Sequence, residues 1–162
     1  MSKTIRKAVR CYVIKENKVL ITKYKSGNKK EGYYDIPGGK IEEGETTEQA
    51  AIREMKEETG VIVKQLHHKG IMQIEYPDRI YDFEVFFSKE IEGEPQEFKE
   101  NTSEWIEIEE LLRQEKILAC IMLLDRFFIQ ALVEEKGRFT LYIQVDEQEK
   151  IEKVEYKVEK LC

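Results

Sequence analysis

Glu54, Glu57 and Glu58 occupy positions i, i+3 and i+4 of the segment Arg53-Glu54-Met55-Lys56-Glu57-Glu58. That spacing stacks side chains on one face of a helix. At about 100° per residue the three carboxylates fall within an arc of roughly 100°. Ala51, Ile52 and Met55 fall on a different arc, centred about 120° away, which can pack on a sheet. Crowded carboxylates repel one another by a few tenths of a kcal/mol per exposed pair, and more where water is excluded. A divalent cation reverses the sign of that cost, and hard cations such as magnesium or manganese prefer oxygen ligands. Taken alone, the triplet reads equally well as a solvated acidic face in a chain with 33 Asp and Glu.

The pattern extends well beyond the triplet. The full string is Gly39-x5-Glu45-x7-Arg53-Glu54-Met55-x-Glu57-Glu58-x-Gly60-Val61. It resembles the Nudix box and matches it at every fixed position, with Met55 a mild departure at the aliphatic place. Pro37-Gly38-Gly39-Lys40 and Ala50-Ala51 also resemble the family. The opening hairpin, Tyr76-Pro77-Asp78-Arg79, Glu92-Gly93-Glu94-Pro95 and Glu104-Trp105 resemble MutT-like members. The resemblance implies a Nudix fold of the α/β (α+β) class. That is an α/β/α sandwich with a central mixed β-sheet and the box as a loop–helix–loop, to which a C-terminal helix and hairpin are added.

For the site, the resemblance implies a magnesium-dependent hydrolase, with manganese as an alternative metal, that cuts a diphosphate linkage in a nucleoside diphosphate-X substrate. A nucleoside triphosphate or its oxidised form, of the 8-oxo-dGTP type, is the leading substrate, giving monophosphate plus pyrophosphate. Glu57 and Glu58 would ligate metal, Glu54 would ligate metal or deprotonate water, and the carbonyl of Gly38 would add a backbone ligand. Arg53 would orient the glutamates and pair with Glu45, while Gly39, Glu45 and Gly60 would shape the box. A later loop often supplies one more acidic ligand; Glu97, Glu100 and Glu104 are the candidates, and Lys99 falls near that place. Two other readings are a nucleotide-sensing module that does not cut and an isomerase of isoprenoid diphosphates. Sensing members commonly lose box glutamates, all of which are present here. An isomerase wants further acid/base residues outside the box, and none is evident.

Lys23, Lys25 and Arg79 are candidate phosphate contacts, and Tyr33, Tyr34, Ile36 and Phe83 are candidates for a base pocket. Ordinary surface lysines and core aromatics would look the same. Trp105 reads as core, His67 and His68 as surface strand residues, and Cys11 as a small buried hydrophobe.

These residues need elements to position them. Segments 7–15 and 18–24 read as a hairpin with Asn17 in the turn, and 25–32 as a loop. Tyr33 to Ile36 reads as a brief strand before a turn at Pro37-Gly38-Gly39. Thr46 or Thr47 is an N-cap for a helix over Thr47 to Thr59, stopped by Gly60. Segments 61–75 and 80–88 read as strands joined at Tyr76–Arg79. Residues 89–102 read as irregular and 104–108 as a strand. A helical region over 109–134 carries an apolar face of Ile117, Ile121, Leu124, Phe128 and Leu132. Segments 138–145 and 151–158 read as a closing hairpin.

The chain has 162 residues and a formal net charge of -6. The length suits one domain over 1–162, and the charge makes polymeric nucleic acid a poor partner. Three cysteines without C-x-x-C spacing and two adjacent histidines argue against a disulfide framework or a zinc site and favour the reducing cytoplasm. No stretch is long and apolar enough to span a bilayer. A small-molecule substrate fits, and the C-terminal helix and hairpin could serve a homodimer.

Overall fold

The computed structural model describes residues 2–27, 30–118, 121, 132, 133 and 137–160. Strands β1 (Thr4–Lys15) and β2 (Lys18–Tyr24) meet at the expected tight turn, with Glu16 at φ 56°. Short strands β3 (Tyr34–Asp35) and β4 (Gly38–Lys40) precede helix α1 (Thr47–Thr59). Then follow β5 (Ile62–Lys64), β6 (His67–Glu75), β7 (Arg79–Ser88), β8 (Glu90–Glu92) and β9 (Asn101–Glu107). Helix α2 (Ile108–Leu112) and the hairpin of β10 (Gly137–Val145) and β11 (Ile151–Lys160) complete the described elements.

The main sheet runs β11-β10-β6-β7-β1-β2-β3, with β4 on β1 and β9 on β2. It is mixed: β1 lies parallel to β7 and β10 parallel to β6, while the other pairs are antiparallel. A small second sheet joins β5 to β8. Alternation along β1 sends its side chains to two cores. Val9, Cys11 and Val13 pack with Ala50, Ala51 and Met55 of α1, while Ala8, Tyr12 and Ile14 face a larger cluster that includes Met72, Phe83, Leu111, Ile121 and Leu132. This is the mixed-sheet α+β architecture expected. Cys11 is fully buried, and burial pushes its thiol up to about 12.

Several local expectations are corrected. Gly38-Gly39 is not a turn: it is strand β4, antiparallel to Ala8–Arg10. Residues 61–75 form two strands, because Gln65 takes φ 48° and breaks the run. The stretch 89–102 is not wholly irregular, since Ile91 pairs with Val63 and β9 begins at Asn101. Helix α2 stops at Arg113; half of the expected helix over 109–134, with Leu124 and Phe128, lies outside the described residues. Ile52 is 42% exposed, so the packing face of α1 is Ala50, Ala51, Met55 and Thr59 instead. Among the described residues no helix is long and apolar enough to cross a membrane.

Candidate active site

Helix α1 is defined at both ends by local chemistry. The Thr46 hydroxyl accepts the Gln49 N–H at 3.1 Å, and Gln49 Oε1 accepts the Thr46 N–H at 2.9 Å. This reciprocal cap satisfies two donors the helix itself leaves open. At the other end Gly60 adopts φ 82° and donates to the Lys56 carbonyl at 3.0 Å, the left-handed stop for which glycine has no steric cost.

Arg53 ties the helix to the preceding loop. Its Nε and Nη2 donate to the Glu45 carboxylate at 2.6 and 2.9 Å, and Nη2 also donates to the Lys40 carbonyl at 2.9 Å. Its Nη1 donates to Glu54 Oε1 at 2.9 Å and to Glu57 Oε2 at 3.0 Å. The hydrogen bond from Arg53, then that from the Glu42 amide, holds the Glu45 carboxyl down to about 2. Arg53→Ala should therefore act on both fold and chemistry. We expect turnover to fall more than about 10-fold and the melting temperature to drop by about 2–8 °C, from a loss of roughly 1–2 kcal/mol. Thermal melts beside rate measurements check this; unchanged melting would contradict the positioning role.

Glu58 points into the protein. It follows Ala51 by seven residues, about two helical turns, so it faces nearly the same way as that buried alanine. Its Oε2 accepts the Gly38 N–H at 3.1 Å. Burial pushes its carboxyl up to about 8, against the lowering pull of Arg10 and the Gly38 amide. Glu54 is shifted upward too, first by burial, with Arg53 pulling the other way. Its carboxylate lies on Gly39, where a methyl group would sit 2.4 Å from Glu54 Cδ. Glu57 is the exposed member, with its side chain 58% accessible.

The apolar arc and the carboxylate arc are thus less separate than the spacing predicts. The three carboxylates are also not gathered ready-made: among the described residues no three His, Cys, Asp or Glu side chains form a metal-holding group. Glu54 and Glu57 share the Arg53 guanidinium, and Glu58 turns to Gly38. The donor chemistry nevertheless fits a hard divalent cation. All donors are oxygens, Glu54 and Glu58 sit where burial disfavours their charge, and Glu54 and Glu57 already share one cationic group.

Two cavities flank the helix. One, of about 350 Å³, is lined by Glu57, Glu58, Thr22, Tyr24 and the loop Phe98–Asn101. The other, of about 880 Å³, begins at Gly39 and is lined by Arg6, Lys7, Arg10 and Lys40 with Tyr81 and Phe83. The two rings stack with centroids 5.5 Å apart, and Arg10 lies 4.4 Å over Phe83.

A family model described as the NUDIX domain matches residues 4–122. The chain belongs to the Nudix family. As a Nudix hydrolase it is an enzyme of the class that cleaves phosphoric anhydrides, as the box implied. It is similar to the oxidized purine nucleoside triphosphate hydrolase of Danio rerio, 32% identical over 155 residues, which covers 92% of this chain and 91% of that one. The 8-oxo-dGTP diphosphatase of Escherichia coli is 33% identical over 92 residues, or 57% of this chain and 71% of that one. Among solved structures, the MutT protein of Bacillus halodurans superposes with a TM-score of 0.76 at 23% identity, covering 94% of this chain and 97% of that one. That likeness is one of fold.

The weaker sequence candidates of this Nudix chain fare unevenly. Phe83 lines the large cavity, but Ile36 is core at 1% exposure. Lys23 lies 5.1 Å over the Tyr34 ring, and Arg79 lies 4.2 Å over Tyr76 and pairs with Asp78; neither lines the two cavities. Glu97 turns to Lys25 at 2.6 Å, and only Glu100, with Lys99, borders Glu57 and Glu58. Glu104 is exposed on β9. Tyr33 and Tyr34 pack at the margin of the larger core, and Trp105 is half-buried against the smaller. His67 is exposed and His68 half-buried on β6.

Sequence reasoning missed a group behind the carboxylates. Asp35 is 2% exposed, accepts the Tyr24 hydroxyl at 2.8 Å and lies 3.6 Å from Arg10. Burial, then Asp35, drives the Tyr24 phenol well above its usual range. The available signal was a charge on an otherwise apolar face: Arg10 shares the face of Ala8, Tyr12 and Ile14. Asn101 was missed too; its Nδ2 donates to the Glu58 carbonyl at 3.0 Å and docks the loop on the helix end.

Proposed function

We propose that this chain hydrolyses an oxidised purine nucleoside triphosphate of the 8-oxo-dGTP type to its monophosphate and pyrophosphate, with magnesium as cofactor and manganese as a substitute. The observation that carries the reading is the adjacency at Gly39: the Glu54 carboxylate meets a trough in which basic side chains lie over two stacked rings. Arg6, Lys7, Arg10 and Lys40 can neutralise a triphosphate, and Tyr81, half-buried and backed by Phe83, offers an aromatic ring to a base. The names of the Danio rerio and Escherichia coli relatives support this choice of nucleotide.

Glu54, Glu57 and Glu58 would hold the metal, with the Gly38 carbonyl a further donor and Glu100 the nearest acidic residue outside the box. When bound, the metal supplies charge neutralisation at the phosphate oxygens and a water of lowered pKa. If Glu57 and Glu58 hold the metal without it, Glu54, whose burial favours its protonated form, would instead take the proton of the attacking water. Arg53 fixes the Glu54 and Glu57 carboxylates against drift, which matters because phosphoryl transfer rests mainly on positioning. Oxygen from water joins one phosphorus as the bridging P–O bond breaks, and pyrophosphate leaves.

The test is turnover with magnesium over a panel of dGTP, 8-oxo-dGTP, ADP-ribose and an isoprenoid diphosphate, with products resolved by mass. Release of 8-oxo-dGMP and pyrophosphate is expected. Tight binding without cleavage would favour a sensing module, and an isomerised, intact diphosphate would favour the isomerase reading. Glu57→Gln should cut turnover by at least about 10²-fold without changing the melting temperature, since the side chain is exposed. Near-normal rates in that variant would count against the site.

A further inference from the structure

Strand β11 ends the main sheet, paired on one side to β10, and among the described residues no strand covers its other side. At 10 residues it is long for an uncovered edge. It also carries an apolar stripe that the fold leaves half open, with Val154 at 41%, Tyr156 at 38% and Val158 at 40% exposure. The opposite face carries Lys153, Glu155, Lys157 and Glu159, joined along the strand at 3.0 Å (Lys153–Glu155) and 3.6 Å (Lys157–Glu159).

The order of these residues is the informative feature. From Glu152 to Lys160 the sequence reads E-K-V-E-Y-K-V-E-K. Read outward from Tyr156, Glu155 answers Lys157, Val154 answers Val158, Lys153 answers Glu159 and Glu152 answers Lys160. The segment is its own complement when reversed.

We propose that β11 pairs with β11 of a second copy of this chain, antiparallel and two-fold symmetric about Tyr156, joining the two sheets edge to edge. In that register Glu155 lies opposite the second copy's Lys157, and Lys153 opposite its Glu159. Val154 meets Val158, and Tyr156 meets itself. Opposite charges and apolar pairs directly across a ladder each stabilise it, and like charges oppose it. The neighbouring registers fail on this count. Centring on Glu155 sets Lys153 against Lys157, and centring on Lys157 sets Glu155 against Glu159. Lysines that merely blunt an edge would need no such mirror order. An isologous pairing of this kind uses up both edges and closes at two copies, so it does not propagate.

Sedimentation of the full chain over a concentration series tests the idea with Glu155→Lys, Lys157→Glu and their mixture. The parent is expected to be a dimer. Each single reversal creates two like-charge pairs by symmetry and should weaken association at least about 10-fold. An equimolar mixture of the two variants restores opposite charges across the ladder and should dimerise like the parent. Retained turnover per chain verifies that each variant is folded, since β11 lies away from the box helix. A monomeric parent at concentrations on the order of 100 µM, a dimer indifferent to both reversals, or a mixture that fails to re-associate would each overturn the proposal.

Discussion

Glu58→Gln is expected to make the metal-free protein more stable at pH 8 than the parent while lowering turnover by about 10³-fold, the loss that follows from its proposed role as a metal ligand. The stability gain follows from where the carboxyl sits. Burial between α1 and β4 raises its pKa from 4.5 to about 8. Between those values the folded state keeps a proton that the unfolded state has released. The contribution of Glu58 is therefore fully present below about pH 4.5 and is lost as pH rises through about 8. Glutamine keeps an oxygen to accept the Gly38 N–H and carries no charge to bury. The gain at pH 8 should be about 1–3 kcal/mol, or roughly 2–10 °C in melting temperature, vanishing near pH 4.5. Magnesium should raise the melting temperature of the parent and leave that of the variant nearly unchanged. Melts at both pH values, with and without magnesium, check all of this. A variant less stable than the parent at pH 8 would show that Glu58 is held by favourable contacts and not kept there for the metal.

Gly38→Ala, one residue before the box, should be a severely damaging small substitution, with a loss of more than about 3 kcal/mol and little folded protein at 37 °C. An added Cβ would lie 1.9 Å from the Val9 carbonyl oxygen and 2.8 Å from Arg10 Nη1. The first neighbour is backbone of β1, the strand that joins both cores, so it has nowhere to go. Gly39→Ala is the informative partner. There the obstruction is the Glu54 carboxylate at 2.4 Å, the far end of a side chain that can swing away. We expect Gly39→Ala to fold with a loss of about 1 kcal/mol and to lose most of its activity, because the displaced group belongs to the site. Denaturant unfolding beside turnover separates the two. Equal destabilisation would mean that the glycines serve one common backbone requirement.

The contrast between these glycines shows how far local pattern carries. Pro37-Gly38-Gly39 looks like a turn because proline and glycine are turn residues. Gly38 and Gly39 instead form a strand on β1, whose backbone passes so close to Gly38 that only hydrogen fits there, while Gly39 faces the Glu54 carboxylate. The same limit applies to Arg10 and Asp35. Each is unremarkable in its own segment, and they meet only because β1, β2 and β3 lie side by side. Lys23 and Arg79 show the converse: each lies over a nearby ring, Tyr34 and Tyr76, which their own segments did not announce.

What could be read from the chain alone was whatever a single helix encodes. The placement of Glu54, Glu57 and Glu58 on one helix, the Thr46 cap and the Gly60 stop depend on residues within about four turns of one another, whereas the pairing of Arg53 with Glu45 came from the resemblance to the Nudix box. The burial of Glu58 and the contact of Glu54 with Gly39 depend on β4 lying on β1, and the basic–aromatic trough depends on β1 and β7 lying parallel in one register, Ala8 beside Phe83 and Arg10 beside Val85. That register joins residues more than seventy positions apart. It is selected by the total burial of two cores, to which each segment contributes only a part.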